Sequence, residues 1–236
     1  MRPLLDGGTL GGPQMNPLLE ERWAKVENEV GQLFREIREG DGISVVVVES
    51  AERRLGAALP PPLRTLYLRC GAREDLLREY EEVLAPDRLS FADGVLQFAS
   101  ENQGVCKWGL LWPPAADDPP VLRMDFTEPP AWAPDHDRLS DFLVWFLLWQ
   151  AVNGAAPTGA NGNADTRVLD RLRDWRELDR TGCHWTDTRF FLRPGQVVCL
   201  MGSDPVYVCA AARDDDTFAL LDSSLHVDWN YTWPER

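Results

Sequence analysis

Glu52-Arg53-Arg54-Leu55-Gly56-Ala57-Ala58-Leu59-Pro60-Pro61-Pro62-Leu63-Arg64-Thr65-Leu66-Tyr67-Leu68-Arg69-Cys70-Gly71 decides how the first half of the chain is built. Upstream of Gly56, residues Val47, Val48, Ala51, Glu52 and Leu55 fall at the three- and four-residue steps of one helical face. The four valines 45–48 suit a strand equally well, because β-branched side chains are stiff at χ1. Gly56 is a stop in either case. Pro60, Pro61 and Pro62 then fix an extended entry into Leu63, Leu66, Tyr67 and Cys70, which return at helical steps up to Gly71.

On the N-terminal side, residues 1–15 hold four Gly and two Pro and predict a mobile tail. Asn16-Pro17 is a helix start: Asn accepts from free backbone N–H groups, and Pro at the first helical position loses no needed donor. Leu19, Trp23, Val26, Val30, Leu33, Phe34 and Ile37 continue one apolar stripe, closed by Gly40 and Gly42. On the C-terminal side, Leu76, Leu77, Tyr80 and Val83 predict a helix from Glu74 to Leu84, ended by Pro86.

Beyond Pro86 the period changes. Residues 89–91 and 95–99, split by Asp93-Gly94, predict a hairpin, and residues 105–112 and 121–126 two further strands. Residues 139–152 are apolar nearly all round, as in a helix buried on more than one side. Residues 154–166, rich in Gly, Ala and Asn, read as a linker. Val168, Leu169, Leu172, Trp175 and Leu178 predict an amphipathic helix, and residues 189–192, 197–201, 206–211, 217–221 and 225–233 strands.

A second block, Glu101-Asn102-Gln103-Gly104-Val105-Cys106-Lys107-Trp108-Gly109, follows the first in order and spacing. Together the Leu-Gly-x-x-Leu-Pro-x-x-Leu-Arg run at 55–64 and this block resemble the SUKH superfamily, the Smi/Knr-type proteins, over roughly residues 48–152. The resemblance tips Ser44–Leu55 towards helix. It implies an α+β domain, an antiparallel sheet packed by helices, which with the N-terminal helix takes in residues 16–153; residues 167–236, read from their own pattern, form a strand-rich C-terminal extension outside the resemblance. The resemblance also implies an immunity protein that binds a secreted nuclease or deaminase toxin, or else a regulatory scaffold of the same fold; fold by itself does not fix function.

The charge of −14 disfavours nucleic acid and anionic membranes as partners and suits a basic protein toxin. Residues 110–236 carry 20 Asp+Glu against 11 Lys+Arg, so most of the excess lies in the second half. Five scattered cysteines without a CxxC pair predict free, buried thiols and a cytoplasmic setting. No basic N-terminal region precedes an apolar core, and the longest apolar run, 142–149, is short of the ~20 residues of a membrane span.

No catalytic motif or phosphate loop is present, and no cofactor or metal is expected. The candidate partner-binding residues are polar clusters. Glu101, Asn102 and Gln103 would sit at the mouth of a hairpin, or would bond the backbone of their own turn. Asp135 and Asp137 flank His136 ahead of a helix, in what reads as a solvated loop; Cys183-His184 lacks the second ligand pair of a zinc site. Asp214, Asp215 and Asp216 would form a hairpin tip open to an Arg-rich partner.

Overall fold

In the computed structural model, which describes residues 17–126, 129–179, 187–203 and 205–234, two antiparallel sheets share one layer of helices. The tail 1–15, Asn16 and Cys183-His184 lie outside the described residues. The fold is α+β. Helix α1, Pro17–Leu33, buries Leu19, Trp23, Val26, Val30 and Leu33, the expected stripe, and stops one turn earlier than Ile37. Helices α2, Val45–Leu55, and α3, Pro61–Cys70, form the expected pair. Ser44 Oγ accepts from Val46 N at the start of α2, and Gly56 closes it at φ 77°, the left-handed conformation that only glycine adopts cheaply.

The third helix is shorter than its spacing predicts. Helix α4 is the single turn Glu74–Leu77. The chain then leaves helical bonding, because the buried Gln150 amide captures it: Oε1 accepts from Tyr80 N (3.2 Å) and Glu81 N (2.7 Å), and Nε2 donates to Glu81 O (2.8 Å). A partner 69 residues away thus overrides the local period.

The first sheet comprises β1 (Glu82–Val83), β2 (Ser90–Ala92), β3 (Val95–Ser100), β4 (Cys106–Leu111), β5 (Val121–Asp125) and β6 (Ala131–His136). Its order is β1-β3-β4-β5-β6, with β2 also on β3. Asp93 and Gly94, both at positive φ, make the tight hairpin turn expected of them. Helix α5, Leu139–Gln150, lies on the inner face, where Phe142 meets Phe98 at 5.4 Å and Trp108 at 5.7 Å between ring centroids. It runs into a π-turn at Ala151–Ala155.

The second sheet holds β7 (Thr158–Ala164), β8 (Arg176–Glu177), β9 (Arg189–Arg193), β10 (Gln196–Met201), β11 (Val206–Ala212) and β12 (Asp228–Trp233), in the order β12-β7-β11-β10-β9-β8. Residues 154–166 are therefore not a linker: β7 is an interior strand. Its small residues are a packing requirement. A Cβ on Gly159 would lie 2.2 Å from the Trp233 ring, and one on Gly162 would lie 2.1 Å from Asp228 O. Helix α6, Val168–Leu172, has five residues, and Leu178 follows β8 rather than continuing it.

Residues 217–221 are helical, not a strand. They belong to α7, Asp215–Leu225, which buries Phe218, Leu221 and Leu225 against the outer face of the second sheet. The layers run first sheet, helices α1, α3 and α5, second sheet, then α6 and α7. One continuous core joins Phe98, Trp108 and Phe142 to Val197, Cys199 and Ala211 of the second sheet. Cys70, Cys106, Cys199 and Cys209 are free and buried. Among the described residues no helix is long and apolar enough to cross a membrane.

Candidate protein-binding face

Alternation along the first sheet sends Cys106, Trp108, Leu110 and Val121 inward and Lys107, Gly109, Leu111, Leu122 and Met124 outward. An antiparallel sheet with one wet face ordinarily turns polar side chains to water. Here most of the outward positions are apolar, the polar ones being Lys107 and, on β3, Gln97 and Ser100. Cross-strand register aligns Lys107, Met124 and Trp132 in one row and Gly109, Leu122 and Pro134 in the next. Leu111 stands opposite Val95 at one end of the face. At the other end Phe126 N donates to Val105 O. Val105, Leu111 and Phe126 are 57%, 55% and 57% exposed, so no described residue covers the face at these positions.

Its floor is close-packed. A Cβ on Gly109 would lie 2.5 Å from Val95 Cγ1 and 2.9 Å from the Trp132 ring, so those side chains lean in from both flanks over the glycine. Lys107 is the one cation among these outward positions. Its Nζ sits 5.5 Å from the Phe126 ring centroid and 5.6 Å from that of Trp132. Pro134 lies on edge strand β6, where a missing N–H discourages pairing with another strand.

The Glu101–Val105 turn ends this face. Glu101 Oε2 accepts from Gln103 N (2.8 Å) and Val105 N (3.0 Å), so Glu101 holds its own turn, while Asn102 and Gln103 are exposed. Asn102 N donates to Glu81 Oε2 at 2.9 Å. Glu81 is buried, and its other oxygen accepts from Trp149 Nε1 at 3.3 Å. Burial pushes the Glu81 carboxyl up to about 7, against the lowering effect of those two donors. Nothing in the local sequence around Glu81 signals this site; its partners are Trp149 and Asn102, both remote in the chain.

The first block proves to be structural. Glu52 Oε1 accepts from Leu59 N at 3.0 Å and pairs with Arg64 at 3.3 Å, fixing the α2–α3 turn. Trp112 Nε1 donates to Leu55 O at 3.1 Å and ties that turn to the end of β4.

The other expected residues lie elsewhere. Asp135 and His136 are buried at the end of β6, not in a solvated loop. His136 Nδ1 is 2.7 Å from Asp135 Oδ2, and the imidazole packs edge-on to Phe142 at 5.4 Å. Asp135 Oδ1 has no hydrogen-bond partner among the described residues. Asp137 lines a cleft of about 640 Å³ with Arg22, Lys25, Arg138, Asp141 and Arg176. There the cations are largely neutralised: Arg22 pairs with Asp141 at 2.8 Å and Arg176 with Glu29.

Asp214, Asp215 and Asp216 begin α7 instead of tipping a hairpin. All three are exposed, but Asp214 is committed to the N-cap, its Oδ1 accepting from Thr217 N at 2.7 Å; hydrogen bonds from the Thr217 side chain and backbone draw its carboxyl below the usual range. The three acidic clusters do not converge. The turn 101–103 borders the outer face, Asp137 lines a separate cleft, and 214–216 lie beyond the second sheet. Compared with models of known protein families, with curated proteins and with solved structures, the chain matches none.

Proposed function

We infer that the chain is a non-enzymatic binding protein that neutralises a cognate bacterial protein toxin, a nuclease or deaminase, by covering its active site. The observation that carries this reading is the largely apolar outer face of the first sheet, with Val105, Leu111 and Phe126 each more than half exposed. Exposed apolar surface on one sheet face marks sites where another macromolecule docks. The resemblance of residues 55–64 and 101–109 to the Smi/Knr-type proteins directs the choice of partner. The charge of −14 supports a basic one, drawn in over a long range and screened by salt.

The test begins with the protein that the full chain retains from the cells that make it. That protein is then expressed alone and together with the chain. Growth arrest by the captured protein, relieved on co-expression, is the expected result. A captured protein that leaves growth unchanged when expressed alone would turn the reading towards a regulatory scaffold.

A further inference from the structure

We propose that the outer face of the first sheet accepts a partner protein presenting an apolar surface with an Asp or Glu at its centre, and that this carboxylate pairs with Lys107. The proposal rests on the protein-binding reading above and adds the chemistry of the contact. Lys107 stands in a row between Ser100 and Met124 on the outer face, with Trp132 beyond Met124. The rings of Phe126 and Trp132 hold its ammonium group from two sides. Rings of this kind orient a cation through their quadrupoles but do not neutralise it. No carboxylate among the described residues lies within ion-pair distance of Lys107, although the chain has 38 acids and Arg123, on the neighbouring strand β5, pairs with Asp125.

Any surface that seals this face takes Lys107 out of water. A charge so buried is tolerated only when it is paired. Because no described residue supplies a counter-ion, the partner is expected to. The same argument disfavours a second copy of this chain as the occupant. A two-fold pairing of the face places equivalent patches against each other and so sets one Lys107 near another, with no acid among the described outward strand positions to separate them. The basic partner drawn in by the net charge is thus expected to carry an acid at the one place where contact is driest.

The experiment uses the full chain with a photo-cross-linking residue, p-benzoylphenylalanine, at Leu111 or at Phe126, irradiated in the cells that make it. Cross-linked peptides are mapped by mass spectrometry, and the captured protein is purified for binding measurements with wild type, Lys107→Met and Lys107→Glu. Methionine keeps the aliphatic stem over the rings, and thermal melts establish that each variant is folded. The expected result is one protein cross-linked from both positions, bound at least 10-fold more weakly by Lys107→Met and more weakly still by Lys107→Glu. Reversing one Asp or Glu within its cross-linked segment to Lys should restore binding to Lys107→Glu.

If the partner cross-links at both positions but binds wild type and the Lys107 variants equally, the carboxylate pairing is overturned and the docking face stands. Cross-links to a second copy of the chain, or none from either position, overturn the docking face itself.

Discussion

Glu81 carries its charge where water does not reach, and that has a direct consequence for pH. Its carboxyl titrates near about 7 in the folded chain and in the ordinary carboxylate range when unfolded. Between those values the folded state holds the extra proton. Its contribution to stability is therefore fully present at low pH and is lost as pH rises through about 7. Chemical denaturation of wild type should show stability falling from pH 5 to pH 8, and Glu81→Gln should flatten that slope. A slope unchanged in the variant would assign the titration to another group. Because Glu81 also holds Asn102 N, proton uptake there loosens one anchor of the turn that borders the outer face. None of this is legible in the sequence, where Glu81 is one acid among Glu79, Glu81 and Glu82. Glu101 was more readable: an acid next to Asn-Gln-Gly is well placed to bond its own turn, and it does.

At the scale of elements, period and punctuation located α1, α3, α5 and the hairpin of β2 and β3, because each carries its own stop signals and apolar positions, whereas α2, whose valines suit a strand equally well, is read as a helix through the family resemblance. They failed where the deciding contact is remote. Gln150 ends α4, and the indole of Trp233 makes a strand out of glycines that read as a linker. Helix α7 escaped for a different reason. A five-residue window from Thr217 shows too little of the 3.6 period, and Phe218, Leu221 and Leu225 reveal it only together. The Asp214 cap gives this element a specific test. Asp214→Ala should cost about 1 kcal/mol in urea denaturation, the usual loss for an N-cap, whereas Asp216→Asn at an exposed position should cost less than about 0.5 kcal/mol. Equal losses would mean that charge at the helix start matters and the cap bond does not.

Across the whole molecule, packing governs the thiols. Burial pushes Cys70 and Cys209 up to about 12 and Cys106 up to about 11, and Cys199 is fully enclosed. Labelling of native chain with an aromatic disulfide, followed by digestion and mass spectrometry, should leave these four positions unmodified until denaturant is added. Rapid reaction at any of them would contradict the close packing of the core around it.

The placement of α5 between two sheets has a further consequence, in heredity. Sequence exchange between related genes succeeds where a chain can be parted without disturbing a packed surface. Here the turn after α5, Ala151–Ala155, lies against β7, β10 and β11, and Trp233 Nε1 reaches back to Ala156 O at 3.0 Å. A recombination junction at this point would give α5 a foreign lining on one flank, so a new second half must bring side chains already fitted to the old first half. Diversity in such a chain should therefore accumulate fastest on the outer face of the first sheet, at exposed positions such as Leu111 and Pro134, which make the smallest demand on the packed interior.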